Sequence, residues 1–277
     1  MGATVSSRTA ILEGQQSWAR ATTRPADPRG YLATVDENLW RPMSDRTRAD
    51  FTNGSGSELT QKMRALHSSS ALAVNFFEFW RAADCTPLVR LLGLDSPVEA
   101  ISFERQYPTG LAGNPPNLDV CISLASGRTV AIESKFCEWL GKNAPDQEYF
   151  KPKYFPEGSA IWTLRGLPEC QRLAEDIDAQ RKHFIHLDAA QLLKHALGLA
   201  TQLGARFDLY YVYFEWPGSE SALHRSEIDC FSKRVGSEIR FRSMTYQDLF
   251  GRLGVDDAEP DYFNYLRGRY FSPAERA

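Results

Sequence analysis

The chain has 277 residues, 43% hydrophobic and 24% charged, enough apolar mass to bury a full core and to exclude global disorder. Its net charge of −3 gives no general attraction for polyanions, so a nucleic-acid partner would be met by a local basic groove or a bound metal. Apolar runs such as Ala71-Leu72-Ala73-Val74 fall far short of the roughly 20 residues of a membrane span. No apolar signal segment opens the chain, and five cysteines without a CxxC pair suit a reducing compartment, so a cytoplasmic protein without a membrane partner is expected.

In chain order, residues 1–56 are rich in Ser, Thr, Arg, Gly and Pro and read as a partly ordered N-terminal extension, docked through Trp18, Leu32 and Trp40. Residues 57–277 read as the main domain. Ser55-Gly56-Ser57-Glu58 has capping-box spacing. It precedes a long helical pattern to about Ala83 that carries Met63, Leu66, Leu72, Phe76, Phe79 and Trp80. A short helix is expected over Leu88–Leu94 and a strand over Val98–Tyr107. Leu118–Leu124 and Thr129–Phe136 alternate as strands around Ser126-Gly127.

Residues 137–186 lack a clear period and read as an insertion with one helix, Leu167–Phe184. Asp188 caps a helix over Ala189–Leu203. Strand, helix, strand and helix follow over Phe207–Trp216, Ser221–Val235, Ile239–Met244 and Tyr246–Leu253, with a terminal helix over Asp261–Tyr270. This order predicts an α/β (α+β) sheet protein.

The chemistry concentrates in Asn117-Leu118-Asp119 and Ala131-Ile132-Glu133-Ser134-Lys135. Glu133 and Lys135 are two apart on a strand and share a face. Such a pair between Val130, Ile132 and Phe136 is costly unless used or well paired. A three-residue loop, Ala125-Ser126-Gly127, places Asp119 opposite Glu133 and gathers Val120, Ile122, Val130 and Ile132 on the other face. A two-residue loop would separate the acids. Two carboxylates can hold Mg²⁺, or Mn²⁺ in its place, with the Ser134 carbonyl as a further ligand. The lysine can orient water or balance phosphate charge.

These residues resemble the PD-(D/E)XK nuclease superfamily: Pro116-Asn117-Leu118-Asp119, then Ile132-Glu133-Ser134-Lys135, with Asp188-Ala189-Ala190-Gln191 and Lys194-His195 downstream. The resemblance spans about residues 60–253. It implies a restriction-endonuclease-like mixed central sheet flanked by helices, and a Mg²⁺-dependent endonuclease acting on DNA. RNA stays open, because the motif reads metal and phosphate. A homodimer or a separate specificity partner fits the same reading.

In similar nucleases the helix after this strand supplies Gln or Lys, which implicates Gln191; His195, one turn later, shares its face. Glu104, on the preceding strand, is a further candidate carboxylate. Relatives often place a glutamate on the first long helix, which points to Glu78, with Asn75 its rival. The insertion mixes Lys142, Lys151, Lys153 and Arg165 with Tyr149, Phe150, Tyr154 and Trp162. That mix suits either a nucleic-acid surface or a packed insertion. His183 and His186, with Cys170, have no complete zinc set around them. The competing reading is a non-catalytic nucleic-acid-binding or interaction module that retains the fold.

Overall fold

A computed structural model describes residues 7–54, 58–144, 147–254 and 257–271. Five strands form one mixed sheet in the order β1-β2-β3-β4-β5. They are β1 (Val98–Gln106), β2 (Asn117–Leu124), β3 (Thr129–Lys135), β4 (Phe207–Tyr213) and β5 (Arg240–Thr245). The first three pair antiparallel, and β3, β4 and β5 run parallel. A parallel pair needs a crossover connection, and the long segments after β3 and β4 supply it. β4 lies between two parallel neighbours and is buried along its whole length, which explains its unbroken run of apolar and aromatic residues.

Helices cover both faces. On one side lie α1 (Ser7–Ala21), α2 (Asp45–Asn53), α3 (Ser69–Phe77), α4 (Thr86–Leu92), α8 (Tyr246–Arg252) and α9 (Pro260–Leu266). Their Ile11, Phe51, Phe76, Leu88 and Leu249 pack with Val120, Ile122, Val130 and Ile132 of the sheet. On the other side lie α5 (Pro168–Asp178), α6 (Ala189–Leu203) and α7 (Ser219–Val235). Leu173, Leu192, Ala196 and Phe231 there meet Cys121, Ala131, Leu209 and Tyr211. The architecture is therefore the α/β mixed sheet flanked by helices that the sequence predicts.

Several elements differ from expectation. Where composition suggests a partly ordered, docked extension, residues 7–54 contain α1 and α2, and Ile11, Leu39, Met43 and Phe51 enter the main core. The long helix expected up to Ala83 is divided. A short 3-10 turn spans Lys62–Arg64, and α3 starts only after Ser68, whose side chain accepts Ala71 N–H at 3.2 Å. The run His67-Ser68-Ser69-Ser70 favours caps over helix interior, and this overrides the apolar period. Of the expected capping box, Ser55, Gly56 and Ser57 lie outside the described residues; Glu58 instead accepts from Lys62 at 2.9 Å and Ser70 at 3.0 Å. The terminal helix closes in a widened turn over Arg267–Phe271, where Arg269 turns inward onto Asn38.

Candidate active site

The β2–β3 loop has three residues: Leu124 N–H reaches Arg128 O at 3.0 Å, and Gly127 N–H reaches Leu124 O at 2.8 Å. Gly127 has φ +75°, a left-handed conformation that costs little without a Cβ. The register pairs Val120 with Ile132 and Ile122 with Val130, so Asp119 stands opposite Glu133. Glu133 reaches His195 of α6, and Asp119 lines the same cleft as Glu133 and Lys135. The β2–β3 ladder ends at Val120–Ile132, and Ser134 N–H donates instead to the Asp119 carboxylate at 2.7 Å. The strands part at the motif and open a cleft.

β1 adds a third acid. Phe103 faces Val120 and Arg105 faces Leu118, which sets Glu104 beside Asp119 in a row across three strands. Glu104 has φ +49°, a strained region for a non-glycine residue. Its carboxylate accepts from Asn117 Nδ2 at 2.6 Å.

α6 closes the site from above. Asp188 caps it by accepting Gln191 N–H at 2.9 Å, and Leu192, Leu193, Ala196 and Leu197 bury its underside. Lys135 Nζ donates to Gln191 Oε1 at 3.2 Å and lies 2.6 Å from Glu133 Oε1. His195 Nε2 lies 3.0 Å from Glu133 Oε2. The Glu133 side chain is 2% exposed and that of Lys135 18%, so the lysine forms the accessible end of the pair.

The electrostatics follow from this packing. Burial alone would raise the Glu133 pKa, but Lys135 and His195 outweigh it and hold the carboxyl near 2. Asp119 goes the other way: burial and then the neighbouring Glu133 charge push it well above the ordinary range. Burial, then Glu58 and Glu133, lift Glu104 to about 7 against the Asn117 hydrogen bond. Burial would lower Lys135, yet Glu133 and Asp119 raise it, so it stays an ammonium.

Glu104, Asp119, Glu133, Lys135 and Gln191 line a cleft of about 780 Å³, which Glu58, Lys62, Ser68 and Glu138 also border; His195 stands behind it against Glu133. The structure thus brings Asp119, Glu133, Lys135, Gln191, His195 and Glu104 together. Ser134 turns its hydroxyl to Tyr246 at 2.6 Å.

Glu78 is not brought to the cleft. It sits on the 3-10 turn after α3, and its Oε1 accepts Ser44 N–H at 3.0 Å. Asn75 is likewise structural, bonded to Trp40 N–H, Asn38 O and Tyr270. Because the helix breaks before Ser69, the acid that reaches the cleft from this part of the chain is Glu58. Sequence reasoning missed it; its spacing from Lys62 was the available signal. The insertion aromatics Phe150, Tyr154 and Trp162 are buried in the α6 core, whereas Lys151 and Arg165 are exposed.

Curated proteins and solved structures give no match to the chain. A family model described as restriction endonuclease associating with ARP matches residues 7–271. That match spans the sheet, both helical layers and every residue of the cleft, so the chain belongs to this restriction-endonuclease family and its fold is restriction-endonuclease-like.

Proposed function

We propose that the chain is a Mg²⁺-dependent endonuclease that hydrolyses phosphodiester bonds in DNA. The observation that carries this reading is the gathering of Asp119, Glu133 and Lys135 in one cleft, with Gln191 against the lysine. The family description, a restriction endonuclease, points to the same chemistry.

The donor set fits a hard divalent cation. Among the described residues no three His, Cys, Asp or Glu side chains converge on one point. Mg²⁺ needs no such cage: it takes one or two carboxylates, retains waters and accepts substrate phosphate oxygens. Asp119 and Glu133 would hold it with the Ser134 carbonyl, and Glu104 stands beside them. Desolvation first, and then neighbouring carboxylates, raise the pKa of Asp119 and Glu104, and a cation relieves that repulsion. When bound, the metal polarises the phosphate and acidifies water.

The protein's own groups do the rest. Lys135 stays protonated, so it acts as a donor and a charge toward phosphate or water rather than as a base. Gln191 fixes the ammonium from the helix side. Glu133 keeps its charge although buried, ready for a ligand role. The reading extends to an ARP partner, since the family description names that association. The test incubates the protein with plasmid DNA, single-stranded DNA and RNA in Mg²⁺, Mn²⁺ or EDTA. Metal-dependent cleavage of DNA is expected. Cleavage of RNA alone would move the substrate, and no cleavage of any polymer would remove the catalytic reading.

A further inference from the structure

The buried imidazole of His195 sits one helical turn from Gln191 on α6 and touches the site from behind. It is 2% exposed, and its Nε2 lies 3.0 Å from Glu133 Oε2. Neither atom has a well-aligned hydrogen-bond partner among the described residues, and the two lie within hydrogen-bonding distance of each other. A buried polar atom without a partner is costly.

The helix carrying both contacts is clamped. Trp162 Nε1 donates to Leu193 O at 2.9 Å, and Gln202 donates to Pro108 O at 2.9 Å. Gly198 lets the helix press directly on the Tyr107 carbonyl, where any Cβ would overlap that oxygen. Gln191 and His195 therefore present fixed positions to two partners that are two residues apart on β3. The amide meets Lys135 and the imidazole meets Glu133. Positions i and i+4 on a helix lie about 5–6 Å apart between Cβ atoms. Residues two apart on a strand lie about 6.6 Å apart at 3.3 Å per residue, so the two spacings match.

We propose that His195 is a positioning residue: its Nε2–H holds Glu133 Oε2, so that the carboxylate keeps the orientation in which Oε1 meets Lys135 and a cation can be taken. This rests on the nuclease reading for its catalytic consequence, but the contact itself does not. Groups behind a metal ligand fix its orientation, and their loss costs about 10–100-fold in metal affinity or activity.

The experiment compares wild type, His195→Gln, which retains an N–H donor, and His195→Phe, which retains a ring without one. Mn²⁺ affinity is read by electron paramagnetic resonance, and kcat and KM by cleavage. His195→Phe is expected to lose about 10–100-fold in Mn²⁺ affinity and kcat with KM for DNA little changed, and His195→Gln to recover most of the loss. A folded His195→Phe with wild-type Mn²⁺ affinity and kcat overturns the proposal. So do equal losses in both variants that track a fall in Tm, since these mark a core-filling role. A second readout needs neither metal nor cleavage. In EDTA, imidazole nitrogen NMR is expected to find the His195 proton on Nε2, with a resonance that Glu133→Gln shifts. A proton on Nδ1, or a resonance blind to Glu133→Gln, overturns the proposal even for an active enzyme. If the wild type neither binds Mn²⁺ nor cleaves, the nuclease reading fails and this NMR result alone decides the role of His195.

Discussion

The Asp119 carboxylate takes the N–H of Ser134 at 2.7 Å, a bond that a regular ladder would give to a backbone carbonyl. One acid thus holds the strands at the point where they part and stands beside Glu133. Asp119→Asn keeps an acceptor for that N–H and removes the charge. Because burial and Glu133 raise the Asp119 pKa, its ionised form destabilises the metal-free fold at neutral pH. The variant is expected to match or exceed the wild-type Tm in EDTA at pH 8, yet lose roughly 10²-fold or more in cleavage rate. A clear drop in Tm would show that the charge itself supports the fold.

Glu104 gives the fold a pH dependence. Its carboxyl rises from 4.5 to about 7 through burial first and then Glu58 and Glu133. The folded chain therefore favours the protonated form. That stability is complete below the ordinary value and is lost as pH rises through about 7. Thermal melts in EDTA between these limits should slope downward for wild type and less steeply for Glu104→Gln. Identical slopes would remove Glu104 as the source. Mg²⁺ should recover stability chiefly at the alkaline end, where the acids are charged.

Glu227 on α7 ties the end of the insertion to the body. Its carboxylate accepts Ile185, His186 and Leu187 N–H groups at 2.6, 2.8 and 2.9 Å. Glu227→Ala orphans three donors just before the α6 cap. A loss of about 3 kcal/mol or more is expected from unsatisfied buried groups, read by urea unfolding. A cost under about 1 kcal/mol, the scale of an ordinary surface change, would show that water replaces the carboxylate there.

Gly198→Ala tests the clamp on α6 without altering a cleft residue. The new Cβ would overlap the Tyr107 carbonyl, whereas at Gly251 on α8 nothing lies within 4 Å. Overpacking of this kind costs about 1–3 kcal/mol, and the helix must lift, carrying Gln191 and His195 with it. Cleavage should fall at temperatures where the variant is folded. Gly251→Ala should be neutral or stabilising by about 0.5–1 kcal/mol. Full activity in a folded Gly198→Ala would mean that the site tolerates movement of α6.

The sequence carried the hairpin and α6 plainly, for physical reasons. Strand alternation has a period of two, so a three-residue loop rather than a two-residue one sets Asp119 opposite Glu133, and Gly127 supplies the conformation that loop requires. Asp188 and the stripe Leu192, Ala196, Leu199 define α6 by cap and period. The division of the first long helix was not legible, because apolar spacing continues through His67–Ser70 while the serines cap and interrupt it. That break sends Glu78 to Ser44 and leaves Glu58 at the cleft. The docking of residues 7–54 was legible in Trp18, Leu32 and Trp40, but the helices α1 and α2 were not, because Ile11, Leu39, Met43 and Phe51 acquire a common face only in the tertiary fold. Nor does any pattern disclose the φ of +49° at Glu104.

The central claim is that Glu133 and its partners hydrolyse DNA with a divalent metal. Its most direct test is the rate of plasmid nicking by wild type and Glu133→Gln, purified identically, in Mg²⁺ and in EDTA. The account predicts nicking by wild type in Mg²⁺, none in EDTA, and a fall of at least about 10²-fold in the variant, the loss typical of one key electrostatic group. Near-wild-type nicking by folded Glu133→Gln, or a folded wild type that binds DNA and leaves it intact in Mg²⁺, would contradict it.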